Sequence, residues 1–373
     1  MDFSTILSFV SNYFVAFIFI ISFIVFIHEF GHFWVARRFG VKIETFSIGF
    51  GKEIFGWNDK HGTRWSFSLI PLGGYVKMFG DSDAASTPDK TKIKEMSAEE
   101  KSQAFHYKPL YQRFLIVLAG PAANYILTAV ILAIFFLSYG RPVTEPVISK
   151  LVKNGVAQAA GLKKGDIITE IDGKSVSSFE DLRGIVSMHP NIEIDLKYKR
   201  AGQVTEMKIT PESQKTNDIF GNKVEVGVIG VISDKVSYKE MGLTESITYA
   251  VYQCYDLSYK TLQAVGQMIT GERPADQISG ILRIADYSAK SVEQGFRTVL
   301  WFIAILSLNL GLINLFPIPM LDGGHLFFYL IEGVRGKPIS EKVQEYMFRF
   351  GFALLITLML FATFNDLKHF NVF

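Results

Sequence analysis

The stretch from Tyr13 to Trp34, YFVAFIFIISFIVFIHEFGHFW, decides the architecture of this chain. It is apolar except for Ser22 and the embedded His28-Glu29-Phe30-Gly31-His32, and at roughly 1.5 Å per residue it is about one bilayer core long. It reads as a membrane-spanning helix. A cleavable signal peptide would open with basic residues and a shorter apolar run, whereas Asp2 precedes this one. His28 stands about six residues before the end of the run, roughly 9 Å below one membrane surface. That depth is buried, yet water can reach it.

Three further apolar runs extend from Phe114 to Tyr139, Val299 to Phe316 and Phe350 to Phe364, the last with Arg349 placed to snorkel at its start. Arg37, Arg38 and Lys42 follow the first run, Lys108 and Arg113 precede the second, and Arg335, Lys337 and Lys342 separate the third from the fourth. The excess of basic residues in those loops predicts that they face the cytoplasm, with both termini outside and the His-Glu motif at the cytoplasmic end of its span. Phenylalanine is abundant at 33 residues, and a net charge of +2 carries no signature of a nucleic-acid partner. Cys254, the sole cysteine, has no partner at metal spacing and reads as a small buried apolar residue.

Between the first two spans, Phe46 to Val76 predicts a β-hairpin. Trp65, Phe67 and Leu69 alternate with Arg64, Ser66 and Ser68, after a turn signal at Asn58-Asp59-Lys60-His61-Gly62. It is either a small cytoplasmic hairpin or one dipping toward the membrane-buried motif, where its edge could hold an unwound peptide as an added strand. Asp81 to Ser102 is polar and charged and reads as a mobile loop.

After Arg141-Pro142 the character becomes that of a soluble domain. Gly161-Leu162-Lys163-Lys164-Gly165-Asp166 leads into an alternating strand ending at an Asp172-Gly173 turn, and Ser178 is a candidate N-cap before Phe179-Glu180-Asp181-Leu182. Residues Val143 to Pro211 resemble a PDZ domain of the bacterial protease type, which implies binding of a peptide or tail, or a steric filter. From Leu243 to Ile269 an amphipathic pattern predicts a helix, set either on the outer membrane surface or against the soluble domain.

The fold class expected is therefore a polytopic α-helical membrane protein of four spans, with a β-hairpin insertion and an extracytoplasmic PDZ-like, β-rich domain. The divisions are a first span over 1–36, a cytoplasmic loop with the hairpin over 37–113, and a second span over 114–140. The PDZ-like domain covers 141–213 and a linker with the amphipathic helix 214–296. A third span over 297–324, a cytoplasmic loop over 325–346 and a fourth span with tail over 347–373 complete the chain.

Histidines four apart share a helix face, so His28 and His32 can offer imidazole nitrogens to one tetrahedral Zn2+ while Glu29 stands near its open position as general base. Two histidines and a carboxylate inside lipid would be costly without such a metal. A catalytic zinc needs a third protein ligand. Asp322 reaches the same membrane side, where Asn314 to His325 breaks a hydrophobic helix with two prolines and a Gly-Gly pair; His325, His61 and His106 are rivals by chemistry.

His-Glu-x-x-His followed by Asn314-Leu315-Phe316-Pro317-Ile318-Pro319-Met320-Leu321-Asp322-Gly323-Gly324 resembles the paired motifs of the site-two protease family of intramembrane metalloproteases, within it the bacterial regulator of sigma-E protease group. The likeness runs over essentially the whole chain. It implies that His28, His32 and Asp322 bind zinc, that Glu29 is the catalytic base, and that Asn314, Pro317 and Pro319 help hold unwound substrate. Asn124, in Gly120-Pro121-Ala122-Ala123-Asn124, matches a position near the active site and is placed with the substrate-handling residues, while by its chemistry it equally reads as an interhelical hydrogen-bonding residue, the commoner use of a polar residue in a span. The resemblance also implies a bacterial inner-membrane enzyme acting on single-span proteins, either anti-sigma factors after a first cut or remnant signal peptides. Two departures stand out. One Gly-Leu-x-x-Gly-Asp signature is present where studied relatives carry two PDZ domains, and Ser279-Gly280-Ile281-Leu282-Arg283-Ile284 replaces a Gly-Pro followed by Val-Gly-Ile.

Two other classes compete. A non-proteolytic PDZ scaffold with a structural metal would have no use for Glu29 and would close the site with a fourth protein ligand. A metal transporter would spread ionisable residues along several spans instead of gathering them at one depth.

Overall fold

The long apolar run forms α1 (Phe3–Arg38) in a computed structural model that describes residues 3–81, 95–217, 223–272 and 274–372. The chain divides into two compact units, Met1–Phe135 with Leu243–Phe373, and Phe136–Gly242. Among the described residues four helices are long and apolar enough to cross a membrane: Val15–Arg38, Leu110–Tyr139, Phe296–Asn314 and Lys342–His369. The chain is a membrane protein by that measure.

In the first unit, α1 ends where Gly40 takes a positive φ of 68° and the Val41 amide reaches back to the Ala36 carbonyl, freeing the chain to enter β1 (Ile43–Asn58). β1 pairs antiparallel with β2 (Arg64–Met78). The Asp59 carboxylate closes the expected turn by accepting from the His61 and Thr63 amides, both at 2.9 Å. The hairpin is folded on itself. Ile48 lies beside both Gly74 and Phe67, so the first half of β1 is flanked on both sides, and no strand among the described residues covers the outer side of Gly74–Met78.

The predicted alternation is present, but turned inside out. Ser47, Ser66 and Ser68 are buried, with Ser47 and Ser68 hydroxyls 3.1 Å apart, while Phe67 is 42% and Leu69 63% exposed. Only the base of the hairpin is packed as in a soluble protein: Phe46 stacks on Trp65 at 4.4 Å and joins Phe33, Val76, Ile116 and Leu326 in one core. Of the stretch expected to be a loop, residues 82–94 lie outside the described residues, and its end forms α2 (Ala98–Gln103), begun by a Ser97–Glu100 capping box. α3 (Leu110–Tyr139) carries Pro121 in its interior.

The second unit contains β3 (Arg141–Thr144), β4 (Lys150–Leu151), α4 (Val156–Ala159), β5 (Ile167–Ile171), β6 (Lys174–Ser175), α5 (Phe179–Ser187), β7 (Ile194–Arg200), β8 (Gln203–Ile209), β9 (Glu212–Asn217), β10 (Lys223–Val228), β11 (Val231–Ile232) and β12 (Val236–Lys239). β6, β5, β7 and β8 form an antiparallel sheet in that order, with α5 begun by the expected Ser178 cap. The boundary expected at 213 moves to Gly242, because β11 pairs with β4, β12 pairs with β3, and Ile229 enters the same core as Ile168, Leu182 and Leu196. A domain cut at 213 would leave β3 and β4 without partners.

The chain then returns to the first unit through α6 (Leu243–Thr270) and α7 (Ile281–Glu293), followed by α8 (Phe296–Asn314), α9 (Asp322–Arg335) and α10 (Glu341–His369). The amphipathic α6 runs along two spans: Tyr125 Oη and Ser258 Oγ are 3.0 Å apart, and Thr261 Oγ1 donates to Asn309 Oδ1 at 3.5 Å. Cys254 is buried in it, as expected. The region taken as a third span over 297–324 and a loop over 325–346 is two helices with a break, since Pro317 and Pro319 end α8 and a new helix starts at Asp322. At the departure motif, buried Asp366 of α10 accepts from the Gly280 amide at 2.9 Å and Arg283 Nε at 2.7 Å, pinning the start of α7.

Asp166 of the Gly-Leu-x-x-Gly-Asp signature accepts from the Lys163 amide and from Arg200 Nε, both at 2.7 Å. Burial alone would raise its carboxyl, but the Arg200 and Lys163 hydrogen bonds outweigh that and hold it below the ordinary value. With the folded pKa depressed, the stabilisation is complete above the unfolded value, about 3.9, and is lost as pH falls through the folded one. Asp166→Ala should cost on the order of 2 to 3 kcal/mol in urea denaturation of the full chain at pH 7, and the gap from wild type should narrow below about pH 4.

Candidate metal centre

α1 places His28 and His32 one turn apart with ring centroids 4.9 Å from one another, both buried. The break after α8 delivers the third group. Met320 adopts a φ of 87°, uncommon for a residue with a side chain, and turns the chain sharply before Asp322 opens α9. Gly323 and Gly324 let this helix start pack onto the preceding segment: a β carbon on Gly324 would lie 2.8 Å from Pro319 Cα, and one on Gly323 would strike the Leu315 and Phe316 carbonyls. The Asp-Gly-Gly sequence is thus a close-packing requirement.

Asp322 Oδ2 lies 3.1 Å from His28 Nε2 and 3.4 Å from His32 Nε2, and the two Nε2 atoms are 3.3 Å apart. A tetrahedral zinc with bonds of about 2.0 to 2.1 Å separates its ligand atoms by about 3.3 Å, so the three distances fit. Asp322 Oδ2 is also a buried acceptor with no hydrogen-bond partner among the described residues, although both imidazoles lie within ion-pair distance. The two imidazole nitrogens and this oxygen converge on one point, the arrangement a cation would satisfy.

Two histidine contacts come from α3. His32 Nδ1 donates to the Ile116 carbonyl at 2.9 Å, leaving Nε2 with its lone pair. A β carbon on Gly120 would overlap the His32 ring, so only glycine lets the imidazole lie against the helix there. His28 Nδ1 meets the side-chain amide of Asn124 at 3.2 Å. Asn124 is completely buried and is not part of the cavity wall; its contact with His28 of α1 is the interhelical use of a polar residue in a span.

The donor set opens on a cavity of about 620 Å³, whose wall includes Glu29, Gly73, Gly74, Tyr75, Asn314 and His325. Glu29 sits beside the outer strand of the hairpin, where a β carbon on Gly74 would come within 3.2 Å of its Cγ. Of the expected residues, Glu29 and Asn314 reach the cavity. Pro319 does not: it is buried, and a β carbon on Gly351 of α10 would lie 2.9 Å from its own. Pro317 is exposed but outside the cavity wall. His325 shares the wall without joining the three donors, His106 pairs with buried Asp81 at 2.9 Å, and His61 is exposed at the hairpin turn. Sequence reasoning missed Ile116 and Gly120; a Gly-Pro pair inside an apolar run was the available signal.

The sequence profile of peptidase family M50 matches residues 16–358. A protein of Agrobacterium fabrum, provisionally named a zinc metalloprotease, is 42% identical over 364 residues, covering 96% of this chain and 97% of the relative. Metalloprotease MmpA of Caulobacter vibrioides is 37% identical over 383 residues, covering 96% of each. Among solved structures, the PDZ domain of an SdrC-like protein from Listeria monocytogenes is 24% identical and covers 24% of this chain and 88% of its own, with a TM-score of 0.19.

The steric account of Gly120 is directly testable. Gly120→Ala should leave the purified protein with little bound zinc by elemental analysis, whereas Gly184→Ala, where nothing lies within 4 Å, should retain the wild-type amount.

Proposed function

The chain belongs to peptidase family M50 and is a zinc metalloendopeptidase, and from that premise we propose that it cuts single-span membrane substrates within the bilayer. The observation that carries the proposal is the buried three-donor set facing a cavity walled by Glu29, a free strand edge and Asn314. Three protein ligands leave a fourth position for chemistry, which a scaffold with a structural metal would have closed. His28, His32 and Asp322 would hold zinc, which would supply Lewis acidity there. Glu29, in the cavity wall, would take a proton from the attacking water and return it to the departing amide nitrogen.

A peptide bond inside a helix is shielded, and its freed backbone groups in lipid cost several kcal/mol each unless partners are supplied. The outer edge of Gly74–Met78 offers ladder hydrogen bonds to a substrate added as a strand, and Asn314 offers its amide. The inside-out hairpin supports this reading, because Phe67, Leu69, Ile54 and Phe55 are exposed as lipid would favour and water would not. Pro317 belongs to the same substrate-handling segment.

Substrates are anti-sigma factors after a first cut, or remnant signal peptides, in a bacterial inner membrane. The metal site lies toward the cytoplasm and the β-rich unit lies outside. That unit acts as a PDZ-like module: its groove of about 600 Å³, lined by Phe179, Leu182, Val186 and the Gly227–Val231 segment, admits a peptide tail or excludes bulky ones.

Cleavage of a single-span reporter, in cells lacking their own enzyme and at matched expression, tests the proposal. Wild type should cut; Glu29→Gln should fall by at least about a hundredfold, as loss of a general base does, with zinc retained. Asp322→Asn should lose both activity and zinc. Unimpaired cutting by Glu29→Gln would remove the proteolytic role given to this site.

A further inference from the structure

Asn124 lies outside the cavity, yet touches a ring nitrogen of His28. A neutral imidazole carries one N–H and one lone pair. For His28 Nε2 to face the same point as His32 Nε2 and Asp322 Oδ2 with a lone pair, its proton must sit on Nδ1, and Nδ1–H then needs an acceptor. The group at 3.2 Å is the Asn124 amide, drawn with Nδ2 toward the ring and with Oδ1 buried and unpartnered among the described residues. The two ends of an amide are nearly isosteric, and hydrogen bonding decides which faces which.

We infer that Asn124 is a positioning residue that turns its amide oxygen to His28 Nδ1, holding His28 in the tautomer that ligates metal. His32 obtains the same service from a backbone carbonyl, Ile116 O at 2.9 Å, so α3 orients both histidines of α1. Asn124 is itself held in place. Its backbone carbonyl accepts from Ser307 Oγ of α8 at 3.0 Å and from Thr128 Oγ1 at 2.9 Å. α8 can approach this closely because Gly311 faces Asn124: a β carbon there would lie 3.2 Å from Asn124 Cβ.

The inference rests on the zinc metalloendopeptidase reading, and the test separates the two. Zinc affinity of the full-length protein in detergent is measured by competition with a chromophoric chelator, alongside the visible absorption of the Co2+-loaded form, for wild type, Asn124→Leu, Asn124→Ala and Asn124→Asp. Leu and Ala, which offer no acceptor, should weaken zinc binding by about 10- to 100-fold, the usual cost of losing such a partner, and alter the Co2+ spectrum. Asp, which only accepts, should restore affinity and spectrum to near wild type. If Leu does not fold, Ala decides by the same criterion. Wild-type affinity in the Ala variant, or an Asp variant as weak as Ala, would overturn the inference. A wild-type protein that binds no zinc would overturn the metalloendopeptidase reading and this inference with it.

Discussion

Three electron-pair donors share one small space, and much of the first unit is arranged around keeping them there. His28, His32 and Asp322 hold their donor atoms 3.1 to 3.4 Å apart, a separation at which lone pairs facing one another are unfavourable unless a cation lies between them. The rigidity required comes from three directions. α1 supplies the spacing, α3 supplies the Ile116 carbonyl and a glycine that makes room for the His32 ring, and the Gly-Gly start of α9 brings the carboxylate in against a tight turn. Each device removes freedom that the donors would otherwise use to separate.

The hairpin distributes its side chains the opposite way. Its serines are inside and several of its aromatic and aliphatic residues are outside, while Phe46 and Trp65 fasten its base to α1 and α3. Such an arrangement would be poor in water, where exposed apolar area is penalised, and it is reasonable where the surroundings are hydrocarbon. The fold of β1 about itself also leaves the Gly74–Met78 side without a strand partner among the described residues, next to Glu29. The edge and Glu29 therefore stand side by side in one cavity wall.

The β-rich unit is closed by strands far apart in sequence. β3 and β12 pair across the whole unit, and the contact of buried Asp166 with half-buried Arg200 ties the signature turn to β7. This closure explains why the segment after 213 belongs to the unit rather than to a linker.

The spans, the hairpin turn and the His-Glu-x-x-His spacing were legible in the sequence because each depends on local properties: run length against bilayer thickness, turn chemistry and helical period. Choosing Asp322 over His325, His61 and His106 needed a family resemblance. The tertiary structure decided what depends on residues far apart in the chain: that Pro319 and Asn124 pack instead of lining the cavity, that Gly120 makes way for a histidine, and that the hairpin turns its serines inward. Sequence pattern reports that two faces of an element differ. Which face meets protein, lipid or a metal ligand is set by what the rest of the chain brings against it.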